Sequence, residues 1–330
     1  MHGWRLLARF TSLPEMWRPS EMYEVLMYDG GVYKINELYE LIEDVGGFVI
    51  QKTKIQVQIV VTMAVPEEEH AVIEEKTAEL GGKLSSVPLA GTEIAVVAPT
   101  LGRHHMPHPT CDIAEQLRRL GAITVVMGLA RGRGRRSSQI LADERRLVEE
   151  YDAAVFVLGN FKDCIINHKT KLFEELEIPV AVVCGPEVQD LPCEAVVCGV
   201  GRKVERMRRE EEILKLQEAS EAIEKIIHNK RAELDEDPLF IHPAEIKSRL
   251  DELEPIKECL RPAPVVLHLD GLRVKIPYEE WKDTIADIEV YGHRLGDVAE
   301  ISESSLGGSI LIKIKTTSEV NDEDRKSSSS

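Results

Sequence analysis

Between Thr92 and Gly199 the chain alternates short apolar runs, rich in β-branched residues, with amphipathic or polar stretches. That alternation constrains the fold more than any other feature. The apolar runs fall at 94–98, 123–127, 153–158 and 180–184, with a weaker one at 195–198. Helix-like stretches lie between them at 112–120, 138–150 and 170–176. Runs that are apolar at consecutive positions suit strands covered on both faces. Regular strand–helix alternation then predicts a doubly wound parallel sheet with right-handed crossovers. Ligands of such sheets bind outside the carboxyl ends of the strands, at a topological switch point, so the loops that follow strands are where chemistry is expected.

The loop after the first run carries His104, His105 and His108 and leads to Cys111. Imidazoles this close in sequence can converge on one metal ion, and a thiolate can join them. The spacing matches no standard zinc signature, so histidines that merely cap or solvate the loop are the competing reading. Cys111 is placed at the expected start of a helix, where free amides and the macrodipole favour a thiolate or a bound anion. The loop after the second run, GLARGRGRR at 128–136, holds Arg131, Arg133, Arg135 and Arg136 around Gly132 and Gly134. The glycines admit close backbone approach, and guanidinium groups give bidentate contacts to phosphate or carboxylate. A solvated basic loop is the alternative. No GxxxxGK[ST] segment occurs, so ATP binding of that type is excluded. Cys164 follows the third run within 159–168 and is read as a further metal ligand. Cys184, after AVV, reads as a small buried hydrophobe. Cys193 and Cys198 resemble part of an iron–sulfur spacing without its companions. Cys259 reads as helical packing.

The formal net charge of −17 over 330 residues disfavours a general binder of nucleic acid or anionic membrane, which sets the arginine loop apart. Six cysteines scattered through a chain without a secretory pattern read as reduced thiols or metal ligands in a cytoplasmic protein. No apolar run approaches the roughly 18–20 residues needed to span a bilayer. Elsewhere, 22–91 follows the strand and helix order of a ferredoxin-like α+β unit. The parallel α/β domain occupies 92–200, a charged connecting helix 201–233, and a smaller α+β unit 234–315. Asp270–Gly271 suggests a hairpin with a type I′ turn. The polar stretch 316–330 reads as disordered. Residues 1–21 differ in composition and read as a non-native or disordered extension, with Met22 the expected natural start. No HExxH or G-x-S-x-G motif supports a hydrolase.

The run MYEVLMYDGGVYKINELYELIEDVGGFVIQ from Met22 onward, then PLAGTEIAVVAPTLGRHHMPHPTCDIAEQLRRLGA and GLARGRGRR, resembles methanogenesis marker protein 7, a family of methanogenic archaea related to methyl-coenzyme M reductase operon protein C. The resemblance covers Met22 to about Thr316. It implies a subunit of the ATP-dependent assembly that reduces the nickel tetrapyrrole of methyl-coenzyme M reductase to Ni(I). Its implied partners are other methanogenesis marker proteins, operon protein C, an ABC-type ATPase subunit and the reductase itself. The implied cofactor is a complex iron–sulfur cluster, similar to a nitrogenase-cofactor precursor and open to sharing with a partner subunit. The chain would then be a non-catalytic or electron-transfer subunit, with ATP handled elsewhere. By position, Cys111, Cys164 and the loop histidines are the expected ligands. A metal-free scaffold or anion-binding docking subunit is the alternative.

Overall fold

Strand β1 (Tyr23–Gly31) runs straight through the glycine pair at which the sequence suggests a break. Gly30 pairs with Ile59 in the ladder, and a Cβ there would lie 2.2 Å from the Tyr28 hydroxyl, so glycine makes room for a neighbouring ring and does not end the strand. The computed structural model describes residues 23–55, 57–99, 107–129, 139–200 and 209–328. These form two compact units, one up to Ser86 together with Glu289–Arg294, the other Val87–Ile288 with the chain from Leu295 onward.

The first unit continues with α1 (Ile35–Asp44), β2 (Phe48–Ile55), β3 (Gln58–Pro66), α2 (His70–Glu79) and β4 (Lys83–Ser86). Its sheet order, β2-β3-β1-β4, is antiparallel throughout and is the ferredoxin-like arrangement expected from the element order. Alternate residues of β3 (Ile59, Val61, Met63 and Val65) bury against Leu38 and Ile42 of α1 and Ile73 of α2.

The second unit is built on five parallel strands: β5 (Glu93–Ala98), β6 (Ile123–Gly128), β7 (Ala153–Val157), β8 (Val180–Val183) and β9 (Ala195–Val197), in the order β6-β5-β7-β8-β9. Ile94, Val96, Ala153 and Val155 pack on one face against α3 (Pro107–Arg119) and α6 (Arg209–Glu236). Ala95, Val97, Ala154 and Phe156 pack on the other against α4 (Ala142–Glu149) and α5 (Lys162–His168). Covering of both faces is why these strands read as unbroken apolar runs. The switch in strand order falls between β5 and β7.

Three local expectations are corrected. The helix after β5 begins at Pro107 rather than at 112, because Pro107 and Pro109 both fall in the first turn, where an amide N–H has no intrahelical acceptor to lose. The turn joining β10 (Val265–His268) to β11 (Gly271–Val274) is centred on Leu269–Asp270, and neither residue has the positive φ of a type I′ turn. Gly271 is needed because a Cβ there would sit 1.9 Å from the Ile312 carbonyl oxygen of the next strand. The stretch expected to be disordered contains a helix, Thr317–Ser328. It is started by a capping box in which Thr316 N donates to the Glu319 carboxylate (2.8 Å) and Glu319 N donates to Thr316 Oγ1 (3.4 Å). The antiparallel sheet of the second unit has the order β10, β11, Ile310–Ile314, Ala299–Glu303.

Helix α7 (Pro243–Leu250) is capped by His242, whose Nδ1 accepts from Ala244 N at 3.1 Å. Burial lowers the His242 pKa to about 4 from 6.5, so the ring is neutral in the fold. Protonation converts Nδ1 from acceptor to donor and breaks the cap. A depressed folded pKa means that this stabilisation is complete above pH 6.5 and is lost as pH falls toward 4. The loss amounts to at most ~3 kcal/mol. His242→Asn keeps an acceptor at the cap but does not titrate. The wild-type stability, measured by chemical denaturation, should therefore fall relative to the variant between pH 6.5 and 4, and parallel curves would contradict this role.

Candidate functional site

The carboxyl ends of β5 and β7 flank the switch point, and the elements that follow them carry the two thiols singled out by the sequence. Cys111 is exposed, at the fifth residue of α3 and not at its first, so it lies beyond the free amides of the first turn. Cys164 is half-buried and lies in α5, not in a loop. The two thiols thus follow neighbouring strands at one edge, but their helices cover opposite faces of the sheet. His104 and His105 lie outside the described residues, as do Arg131, Arg133, Arg135, Arg136, Gly132 and Gly134. His108 falls in α3, with its side chain outside the described set.

Around Cys164 the structure adds a residue that sequence reasoning passed over. Lys169, fully buried, follows α5 and interacts electrostatically with both Cys164 and Cys184. Burial lowers the Lys169 pKa, and the two thiols oppose that shift. Cys184 is fully buried in the apolar layer under α5, and burial together with neighbouring Cys198 pushes its thiol up to about 12. Burial also raises Cys193, to about 11. These are neutral packing thiols, as read for Cys184 from its AVV context. Cys259 lies just past a short helix (Glu254–Lys257) instead of within one, and its Sγ donates to the Lys275 carbonyl at 3.6 Å.

A second polar constellation, which the sequence reading missed, occupies the opposite, amino-terminal edge of the parallel sheet. Glu93 opens β5 and is 1% exposed; Arg273 in β11 is 0% exposed. Arg273 Nε donates to Glu93 Oε2 (2.8 Å), and Nη1 donates to Glu150 Oε2 (2.6 Å) and Ser304 Oγ (2.5 Å). The guanidinium also stacks 5.0 Å from the Tyr151 ring centre. His268 Nε2 lies 2.9 Å from Glu93 Oε2. Asp152 Oδ2 accepts from Glu93 N and its Oδ1 from Leu269 N, both at 2.7 Å. Burial alone would raise the Glu93 carboxyl, but the His268 hydrogen bond and the Arg273 charge outweigh it and hold the group below the usual range. Asp152 behaves oppositely: burial and the Asp270 charge push it up to about 6, against the pull of His268. The one local sequence signal was a charged residue at 273 inside a strand with every position buried.

Comparison with known proteins matches residues 23–288 to the family described as methyl-coenzyme M reductase operon protein C. This chain belongs to that family. The match takes in both edges of the parallel sheet, and it bears out the expected relation to operon protein C. An uncharacterized protein of Methanocaldococcus jannaschii is 48% identical over 300 residues, covering 91% of this chain and 96% of that protein. The methyl-coenzyme M reductase operon protein C of Methanococcus vannielii is 33% identical over 103 residues, 28% of this chain and 52% of that protein, so the shared segment spans about half of that relative. Among solved structures, a formyltetrahydrofolate deformylase of Burkholderia mallei aligns at 11% identity over 54% of this chain and 59% of that one, with a TM-score of 0.21. No described helix of this family member is long and apolar enough to cross a membrane.

Removing the Arg273 cation while leaving its buried carboxylates is expected to cost roughly 3–5 kcal/mol. Arg273→Met should therefore lower the denaturation midpoint strongly, and Arg273→Met with Glu93→Gln should recover part of the loss. Equal stability of wild type and Arg273→Met in urea denaturation would contradict the pairing.

Proposed function

We propose that this chain is a subunit of the assembly that reductively activates methyl-coenzyme M reductase. In this reading its edge at the β5–β7 switch point borders a complex iron–sulfur cluster. The observation that carries it is the family match over 23–288, which includes the switch point and both of its flanking helices. Cys111 is exposed and soft, and Cys164 is partly accessible in α5, close in sequence to the buried Lys169. Among the described residues these thiols, on helices of opposite layers, do not close a ligand set by themselves. In this reading the cluster is open to completion by a partner subunit. Bound there, the cluster would supply low-potential electron transfer. The chain's own residues hold and orient: Cys111 and Cys164 as ligands, with His104, His105 and His108 ligating or hydrogen-bonding sulfide. The Arg131, Arg133, Arg135 and Arg136 loop, with Gly132 and Gly134, holds the anionic charge of the cluster or of an acidic partner. The chain lacks a GxxxxGK[ST] segment, in keeping with ATP bound by an ABC-type ATPase subunit. The other partners in this reading are operon protein C, further methanogenesis marker proteins and the reductase.

A metal-free docking scaffold is the second reading, favoured by the burial that keeps Cys184 and Cys193 neutral. Iron and sulfide analysis of the anaerobically purified complex separates the two. Cys111→Ser or Cys164→Ser should lower bound iron and activation of the reductase, while Cys259→Ser should change neither. Wild-type iron content and activation in all three variants would reject the cluster reading and leave the scaffold.

A further inference from the structure

At the amino-terminal edge of the parallel sheet, away from the proposed cluster site, Asp152, His268 and Asp270 each bring one ligand atom within 4.8 Å of the others. We propose that this trio is a binding site for a first-row divalent cation such as Zn²⁺, Co²⁺ or Mn²⁺, independent of the cluster.

The donor set suits such ions: an imidazole nitrogen selects borderline transition metals over Mg²⁺ or Ca²⁺, and two carboxylates supply the balancing charge. Ligands at ~2.1 Å in tetrahedral geometry are ~3.4 Å apart, so the trio has to close by up to ~1.4 Å from its 4.8 Å spread.

The surroundings are those of an outer shell already assembled. Ligating histidines commonly donate their other ring nitrogen to a carboxylate, which fixes the tautomer and the ring plane. Here His268 Nε2 is held by Glu93 at 2.9 Å, which leaves Nδ1 as the nitrogen for a metal. Glu93 is itself fixed by Arg273, whose remaining charge is taken up by Glu150. Asp152 is fixed by two backbone amides, one on each oxygen, and each oxygen keeps a lone pair. The fixed groups come from β10 and the start of β7, while Asp270 closes the set from the hairpin turn.

Access is provided on the Asp270 side. Its side chain is 40% exposed, and it lines a cavity of about 570 Å³ together with Glu300, Lys313, Lys315, Glu319 and Asp322. Carboxylates outnumber ammonium groups in that lining, which favours cation approach. Lys313 lies 3.9 Å from Asp270 Oδ2, and a pair that exposed is readily displaced. Three protein ligands leave at least one coordination position to water.

The test is a titration of metal-free, full-length protein with Co²⁺ under anaerobic conditions, followed by visible absorption and by the shift in thermal unfolding. Wild type should bind one Co²⁺ with a carboxylate–imidazole spectrum that lacks thiolate charge transfer, and the bound ion should raise the melting temperature. Asp270→Asn, at an exposed turn, should melt like wild type without metal but bind Co²⁺ at least ~10-fold more weakly. Cys111→Ser should bind Co²⁺ at this site as wild type does, so failure of the cluster reading leaves the result unaffected. No carboxylate–imidazole binding in wild type, or equal affinity in Asp270→Asn, would overturn the proposal and leave the trio a purely structural ion network.

Discussion

The buried guanidinium of Arg273 is the interaction on which the larger unit depends. It reaches from the antiparallel sheet to Glu93 at the start of β5 and to Glu150 at the end of α4. Through Glu93 it fixes His268, and the backbone of the same residue is bonded to Asp152. A charge with no solvent contact is tolerated only when every partner is present, so the two sheets are specified together. Arg231 of α6 adds to this edge by donating to the carbonyls of Pro88 and Ala90, at 2.7 and 2.9 Å.

With the amino edge of the parallel sheet occupied by this network, the proposed function assigns partner contact to the carboxyl edge. Strand order places the switch point between β5 and β7, where Cys111 and Cys164 follow. Exposed and half-buried thiols on this edge contrast with the neutral, buried Cys184 in the layer beneath α5. The two edges differ physically: a buried ion network fills most of the amino edge and opens only at Asp270, while the accessible thiols lie at the carboxyl edge.

Periodicity made the parallel strands and the ferredoxin-like order legible, because both follow from local hydrophobic pattern. The helix expected at 201–233 as a charged connector is instead part of the sheet's cover: Ala219, Ile223, Ile226 and Ile227 of α6 are buried against the parallel strands. The start of α3 was misplaced because proline is a breaker inside a helix and harmless in its first turn. The helix at Thr317 was missed although Thr316-x-x-Glu319 is a capping-box signal. The charged network was out of reach for a different reason: Arg273 and Glu93 are 180 positions apart, and no local pattern encodes such a pairing. At the carboxyl edge, the residue types and strand-end positions were readable, whereas the assignment of Cys111 and Cys164 to opposite layers required the tertiary structure.

In the proposed function the carboxyl edge, not the amino edge, is the surface that meets the partner subunits. Hydrogen–deuterium exchange on the free chain and on the anaerobically assembled complex tests it most directly. The account predicts new protection at the start of α3 around Cys111 and across α5 around Cys164, with the β10–β11 hairpin and β5 start equally protected in both states. Protection that appears at the β10–β11 hairpin and leaves α3 and α5 unchanged would contradict it.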